Sequence, residues 1–186
     1  AVPYVSTGGL GDVLGSLPQA VKKADPSADV RVILPLYKKV KDNFGSSLKY
    51  IGNTTVELSW RKQYCGLFEC ENNGVTYYFI DNEYYFKRAS LYGHMDDGER
   101  FAYFAMAAVE MMRHVDFYPD ILHAHDWSSA LTLVYLNRKY RAIPEYANIR
   151  TVFTIHNIEY QGNYDFSILG DIFDLGEEDR SLMEYD

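Results

Sequence analysis

The chain has 186 residues, 47% of them hydrophobic, and a formal net charge of -8. That is enough apolar material for one sizeable core, and one domain over residues 1–186 is expected. The acidic balance speaks against nucleic acid and anionic lipid as partners, since both rely on Lys and Arg to neutralise phosphates. No basic-then-apolar leader opens the chain, and no apolar run nears the roughly 20 residues that span a bilayer. Cys65 and Cys70 are the only cysteines, and their odd separation along an extended segment puts them on opposite faces. Both are expected to be reduced, in a cytoplasmic protein.

In chain order, Thr7-Gly8-Gly9-Leu10-Gly11-Asp12 opens a helix whose apolar positions are Val13, Leu14, Leu17 and Val21, with Pro18 as a candidate kink. Asp29 to Leu36 is a β-branched run closed by Pro35 and reads as a buried parallel strand. From Tyr50 to Ile80 the segments are extended. Asn73-Gly74 gives a hairpin signal, because a type I′ turn needs positive φ at both central residues. The tyrosines Tyr77, Tyr78, Tyr84 and Tyr85 read as packing residues.

Asp96 and Glu99 have capping-box spacing ahead of Phe101, Phe104, Ala105, Ala108, Met112 and Val115, which predicts an amphipathic helix. A strand over Ile121 to His125 follows, then a helix from Ser128 to Tyr140 and a strand from Arg150 to Ile155. The alternation predicts an α/β fold: a Rossmann-like, mainly parallel sheet with helices on both faces and a β-hairpin insert. Both ends read as cut, with further chain expected on each side.

Three polar clusters fall where an open parallel sheet binds ligands, beyond the carboxyl ends of its strands. The first, Thr7-Gly8-Gly9-Leu10-Gly11-Asp12, combines close backbone approach with free helix-start amides that attract an anion such as a pyrophosphate. It matches neither the dinucleotide fingerprint nor the P-loop, and a plain strand-to-helix turn is its alternative. The second, His123-Ala124-His125-Asp126-Trp127, offers a carboxylate for sugar hydroxyls and an indole for an apolar sugar face. Its alternative is two core histidines and a helix cap. A zinc site through His123 and His125 lacks the ligands such motifs place downstream, since Trp127 and Ser128 follow, and no metal is expected. The third is His156-Asn157, at the end of the last strand, where side chains or carbonyls can bind hydroxyls. A polar loop is the bland reading there.

Taken together, Thr7-Gly8-Gly9-Leu10-Gly11-Asp12-Val13, His123-Ala124-His125-Asp126-Trp127 and Phe153-Thr154-Ile155-His156-Asn157 with Tyr160-Gln161-Gly162 resemble bacterial glycogen and starch synthases, in that family's order. Tyr77 to Asn82 and Gly98 to Ala102 are similar to its intervening segments, so the likeness covers nearly the whole chain. The resemblance implies the N-terminal Rossmann-like domain of a GT-B glycosyltransferase, with the nucleotide held mostly by a C-terminal domain not contained in residues 1–186. It implies retaining transfer of glucose from ADP-glucose, or UDP-glucose, to the non-reducing end of an α-1,4-glucan, with no cofactor or metal. It assigns His156 and Asp126 to catalysis, and Ser6, Thr7, Gly8, Gly9, Asp12 and Asn157 to the donor. Trp127 and His125 fall to the acceptor cleft. Ser6 stands where the family commonly has Lys, removing a charge from the donor phosphates. The 186 residues alone are expected to be inactive, and a non-catalytic carbohydrate-binding Rossmann module is the alternative.

Overall fold

A computed structural model describes residues 1–6 and 8–184. The chain folds into two compact units, Ala1–Thr54 with Tyr64–Gly93, and Thr55–Gln63 with His94–Asp186.

The first unit opens with α1 (Gly9–Ala24), which runs unbroken through the buried Pro18. Then come β1 (Arg31–Pro35), α2 (Lys38–Phe44), β2 (Lys49–Leu58), β3 (Arg61–Asn72), β4 (Val75–Asp81) and the single turn α3 (Glu83–Phe86), with the end of β2 and the start of β3, over Thr55–Gln63, counted in the second unit. Four strands form a sheet in the order β1-β4-β3-β2. β1 lies parallel to β4, from Arg31 opposite Thr76 to Pro35 opposite Ile80. β3 returns antiparallel from β4, with Asn72 opposite Val75. Asn73 and Gly74 have φ of 52° and 76°, as the type I′ turn requires. β4 is buried on both faces through Tyr77, Tyr78, Phe79 and Ile80, the burial expected of a central strand. Tyr84, read as a packing residue, is instead exposed, while its neighbour Tyr85 is fully buried. Cys65 is buried, and Cys70 lies 3.0 Å from the Tyr4 hydroxyl.

In the second unit α4 (Asp97–His114) departs from the amphipathic expectation. Every residue from Arg100 to Val109 is buried, because Ala102, Ala105, Ala107 and Ala108 let neighbours close on the faces that Phe101 and Phe104 leave. The capping box is not made either. The Asp96 side chain does not cap the helix. Asp97 accepts from the His94 amide at 3.1 Å and pairs with the fully buried Arg100, while Glu99 pairs with buried Arg61 at 3.1 Å. The buried Arg61 guanidinium thus recruits Glu99, the acid that the sequence pattern assigned to the capping box with Asp96.

β5 (Ile121–His125) leads to α5 (Trp127–Tyr135), which gives way to a π-helical turn over Leu136–Tyr140, so the expected single helix is α then π. Arg141 then donates to the carbonyls of Tyr146, Ala147 and Ile149, closing the loop that precedes β6 (Arg150–Thr154). β6 pairs parallel with β5, from Ile121 opposite Arg150 to His125 opposite Thr154. Both parallel pairs and the hairpin agree with the α/β reading. On β6, Val152 and Phe153 are 41% and 42% exposed. The short turn α6 (Ile168–Asp171) precedes a 3-10 segment over Glu177–Leu182.

Candidate active site

The glycine turn belongs to the first unit. Gly8 precedes α1 with φ 126° and ψ -167°, a conformation that residues with a Cβ rarely adopt. Its carbonyl accepts from the Gly11 amide at 2.9 Å and from the Ser6 hydroxyl at 3.2 Å. A Cβ on Gly11 would lie 2.2 Å from Ser6 Oγ and 2.8 Å from Ser6 Cα, so glycine there is set by close approach. Gly8 and Gly9 are exposed, and so is Asp12 in the first helical turn. The amides of that turn point out of the helix, where an anion is favoured. Thr7, assigned with them, lies outside the described residues.

His125, Asp126, Trp127, His156 and Asn157 belong to the second unit, at the carboxyl ends of β5 and β6. Period-two geometry puts His123 and His125 on one face of β5, with rings stacked at 4.0 Å. His156 continues the stack, 5.3 Å from the His125 ring at an interplanar angle of 17°. Its Nε2 lies 3.0 Å from His125 Nδ1. His123 Nε2 is 2.7 Å from the Thr154 hydroxyl. Burial, then the neighbouring His123 and His156, lowers the His125 imidazole from 6.5 to about 4. Burial and His156 lower His123 as well.

Asp126 sits between strand and helix with φ 58° and ψ 173°, a strained pairing of angles for any residue but glycine. Its amide donates to the Thr154 carbonyl at 2.9 Å, and its Oδ1 accepts from the His156 amide at 2.7 Å. The carboxylate therefore ties the end of β6 to the end of β5. Its second oxygen, Oδ2, makes no hydrogen bond among the described residues. Asn157 turns its Oδ1 onto the Glu159 amide at 3.0 Å and so shapes the loop after His156.

Trp127 is half-buried. Phe101 meets its ring edge-on at 5.1 Å, and Tyr164 lies at 6.4 Å. Gly162, at φ 64°, packs against the indole so closely that a Cβ there would come within 2.3 Å of Cε3. Gly162, Phe101 and Ser129 are the supporting residues that motif reading did not assign. Ser129 Oγ bridges the amide and carbonyl of His125, both at 2.7 Å. Gly162 carried a signal, since it closes the Tyr160-Gln161-Gly162 segment. Ser129 carried none.

Among the described residues, no group of three or more His, Cys, Asp and Glu side chains could hold a metal ion, and no helix is long and apolar enough to cross a membrane.

The fold agrees with comparison to known proteins. The starch synthase catalytic domain family matches residues 1–186. Glycogen synthases of Streptococcus pneumoniae are similar: that of strain 70585 is 50% identical over 95% of this chain, and that of strain CGSP14 is 49% identical over the same share. The chain spans 36% of the length of these curated relatives. Among solved structures, the catalytic domain of starch synthase IV from Arabidopsis thaliana bound to ADP and acarbose superposes with a TM-score of 0.78. It is 29% identical, over 91% of this chain and 34% of the other. The chain belongs to the starch synthase catalytic domain family.

Proposed function

We propose that the polypeptide containing these 186 residues is a glycogen or starch synthase, which transfers glucose with retention from ADP-glucose to the non-reducing end of an α-1,4-glucan. The observation that carries the reading is the paired hold on His156: its amide bonded to Asp126 and its ring to His125, at the carboxyl edge where parallel sheets bind ligands. The family match and the ADP and acarbose bound by the Arabidopsis relative support the ligand classes.

Retaining transfer breaks a glycosyl–phosphate bond through an oxocarbenium-like state, so the leaving diphosphate and the acceptor hydroxyl must be held on one face of the sugar. In this reading the first-turn amides of α1, with Gly8 and Gly9, face the diphosphate, helped by Ser6 and Thr7. Asp12 faces the sugar region. His156 meets the transferred glucose through its backbone carbonyl, Asn157 supports that loop, and Asp126 Oδ2 accepts from a sugar hydroxyl. Trp127 and His125 line the acceptor side. The reading assigns no metal or cofactor, and it places the protein in the cytoplasm, where Cys65 and Cys70 remain thiols.

Residues 1–186 are read as the N-terminal Rossmann-like part of a GT-B enzyme, inactive without the nucleotide-binding domain. The exposed apolar side chains of β6 support this, since further chain would cover them.

The test is incubation of the full-length polypeptide with ADP-glucose or UDP-glucose and glycogen. Glucose incorporation from ADP-glucose, with α-configured linkages by proton NMR, supports the assignment. Binding of glucan with no incorporation from either donor replaces it with a non-catalytic carbohydrate-binding module.

A further inference from the structure

The segment after β6 is exposed from Ile155 to Gln161, yet His156 within it is held by two side chains from the end of β5. One link is the Asp126 carboxylate on its amide. The other is His125, which is itself fixed on every side. Ser129 Oγ bridges its backbone amide and carbonyl, Thr154 lies opposite it in the ladder, and the His123 ring stacks on it. Its ring lies within 17° of parallel to that of His156, with Nδ1 in line for Nε2.

We propose that His125 is a positioning residue for glucosyl transfer: Nδ1 anchors the His156 ring and, together with Asp126 on the amide, locks the backbone of His156 and Asn157 in the conformation that meets the sugar. This rests on the reading above that the His156 loop meets the transferred glucose. Two attachments matter because one does not suffice. The amide bond alone leaves the ring free to turn and the chain free to swing about φ, whereas amide and ring held together fix the direction in which the carbonyl carbon leaves the His156 Cα. Ionisation does not disturb the anchor at neutral pH. The charged or titratable groups facing His125 are His123 on its own strand, Asp126 beside it and His156 across from it, and burial keeps the ring uncharged above about pH 4.

The experiment uses the full-length polypeptide and the variants His125→Phe and His125→Asn, the second of which keeps a hydrogen-bonding atom near the position of Nδ1. Steady-state kinetics with ADP-glucose and glycogen are expected to show kcat falling about tenfold or more in His125→Phe, with the KM for ADP-glucose within about threefold of wild type. His125→Asn is expected to regain most of that loss. Diethylpyrocarbonate labelling followed by peptide mass spectrometry reads the ring directly. Modification of His156 should rise severalfold in His125→Phe and stay near wild type in His125→Asn. If phenylalanine prevents folding, the smaller His125→Ser reads the same loss. Unchanged kcat in the Phe and Ser variants, or equal loss in Asn and Phe, overturns the proposal. A wild-type polypeptide that transfers no glucose sinks the underlying reading, and the labelling contrast then still tests whether His125 anchors His156.

Discussion

The His156 amide donates to Asp126 Oδ1 at 2.7 Å, across a sequence separation of thirty residues. A hydrogen bond to a charged acceptor contributes about 1.5–3 kcal/mol, so losing it where it orders a reacting loop is worth roughly 10- to 100-fold in rate. Asp126→Ala is therefore expected to lower kcat by at least that range in the full-length polypeptide. Asp126→Asn, which can still accept from the amide, should lose less. Steady-state kinetics of the two variants, with circular dichroism to confirm folding, make the check.

Gly162 is fixed both by its φ of 64° and by the Trp127 ring beneath it. Overpacking costs about 1–3 kcal/mol, and the left-handed backbone about 1–2 kcal/mol more for a residue with a Cβ. Gly162→Ala is expected to lower the thermal midpoint and shift the Trp127 emission. Trp60 is the only other tryptophan within residues 1–186, so in that stretch produced alone a Trp60→Phe background isolates the signal.

Ser6 is the residue whose Cα and hydroxyl rest on Gly11. Ser6→Lys puts a cation beside the first turn of α1 without altering the Cβ. Its expected effect is a donor KM about 2- to 10-fold lower in dilute buffer, shrinking toward wild type as salt screens the phosphate charge. Gly11→Ala should do the reverse, raising donor KM by displacing Ser6. Initial rates at two ionic strengths separate the cases.

Because burial lowers the His125 imidazole to about 4 from 6.5, the unfolded chain binds a proton there that the folded chain does not between those values. Stability from this group is fully present above about pH 6.5 and is lost as pH falls toward 4, and His123, lowered in the same direction, adds to the slope. Urea midpoints taken between pH 7 and 4 should fall less steeply in His125→Asn than in wild type.

How far such relationships could be read in advance depended on their range along the chain. The Asn73-Gly74 turn and β4 were legible because turn chemistry and a β-branched, aromatic run act within a few residues. The placing of His125, Asp126 and His156 at strand ends followed from parallel pairing alone. The burial of α4 on all sides did not, since alanines mark an exposed face and a tightly packed one alike. Nor did the diversion of Glu99 from capping to Arg61, which is far away in sequence and whose burial decides the outcome. Trp127 read as a sugar-stacking surface. Its supports, Phe101 and Gly162, lie on segments whose approach is a matter of tertiary packing.

β6 has a practical consequence for anyone handling residues 1–186 by themselves. In its sheet of two strands it has, among the described residues, a neighbour on one side only, and Val152, Phe153 and Ile155 are exposed along or just beyond it. Unpaired backbone groups beside β-branched and aromatic side chains form a template on which another copy can add a strand. Residues 1–186 produced alone should therefore self-associate with rising concentration, and a lysine at Val152 should delay that onset more than one at an already polar surface position.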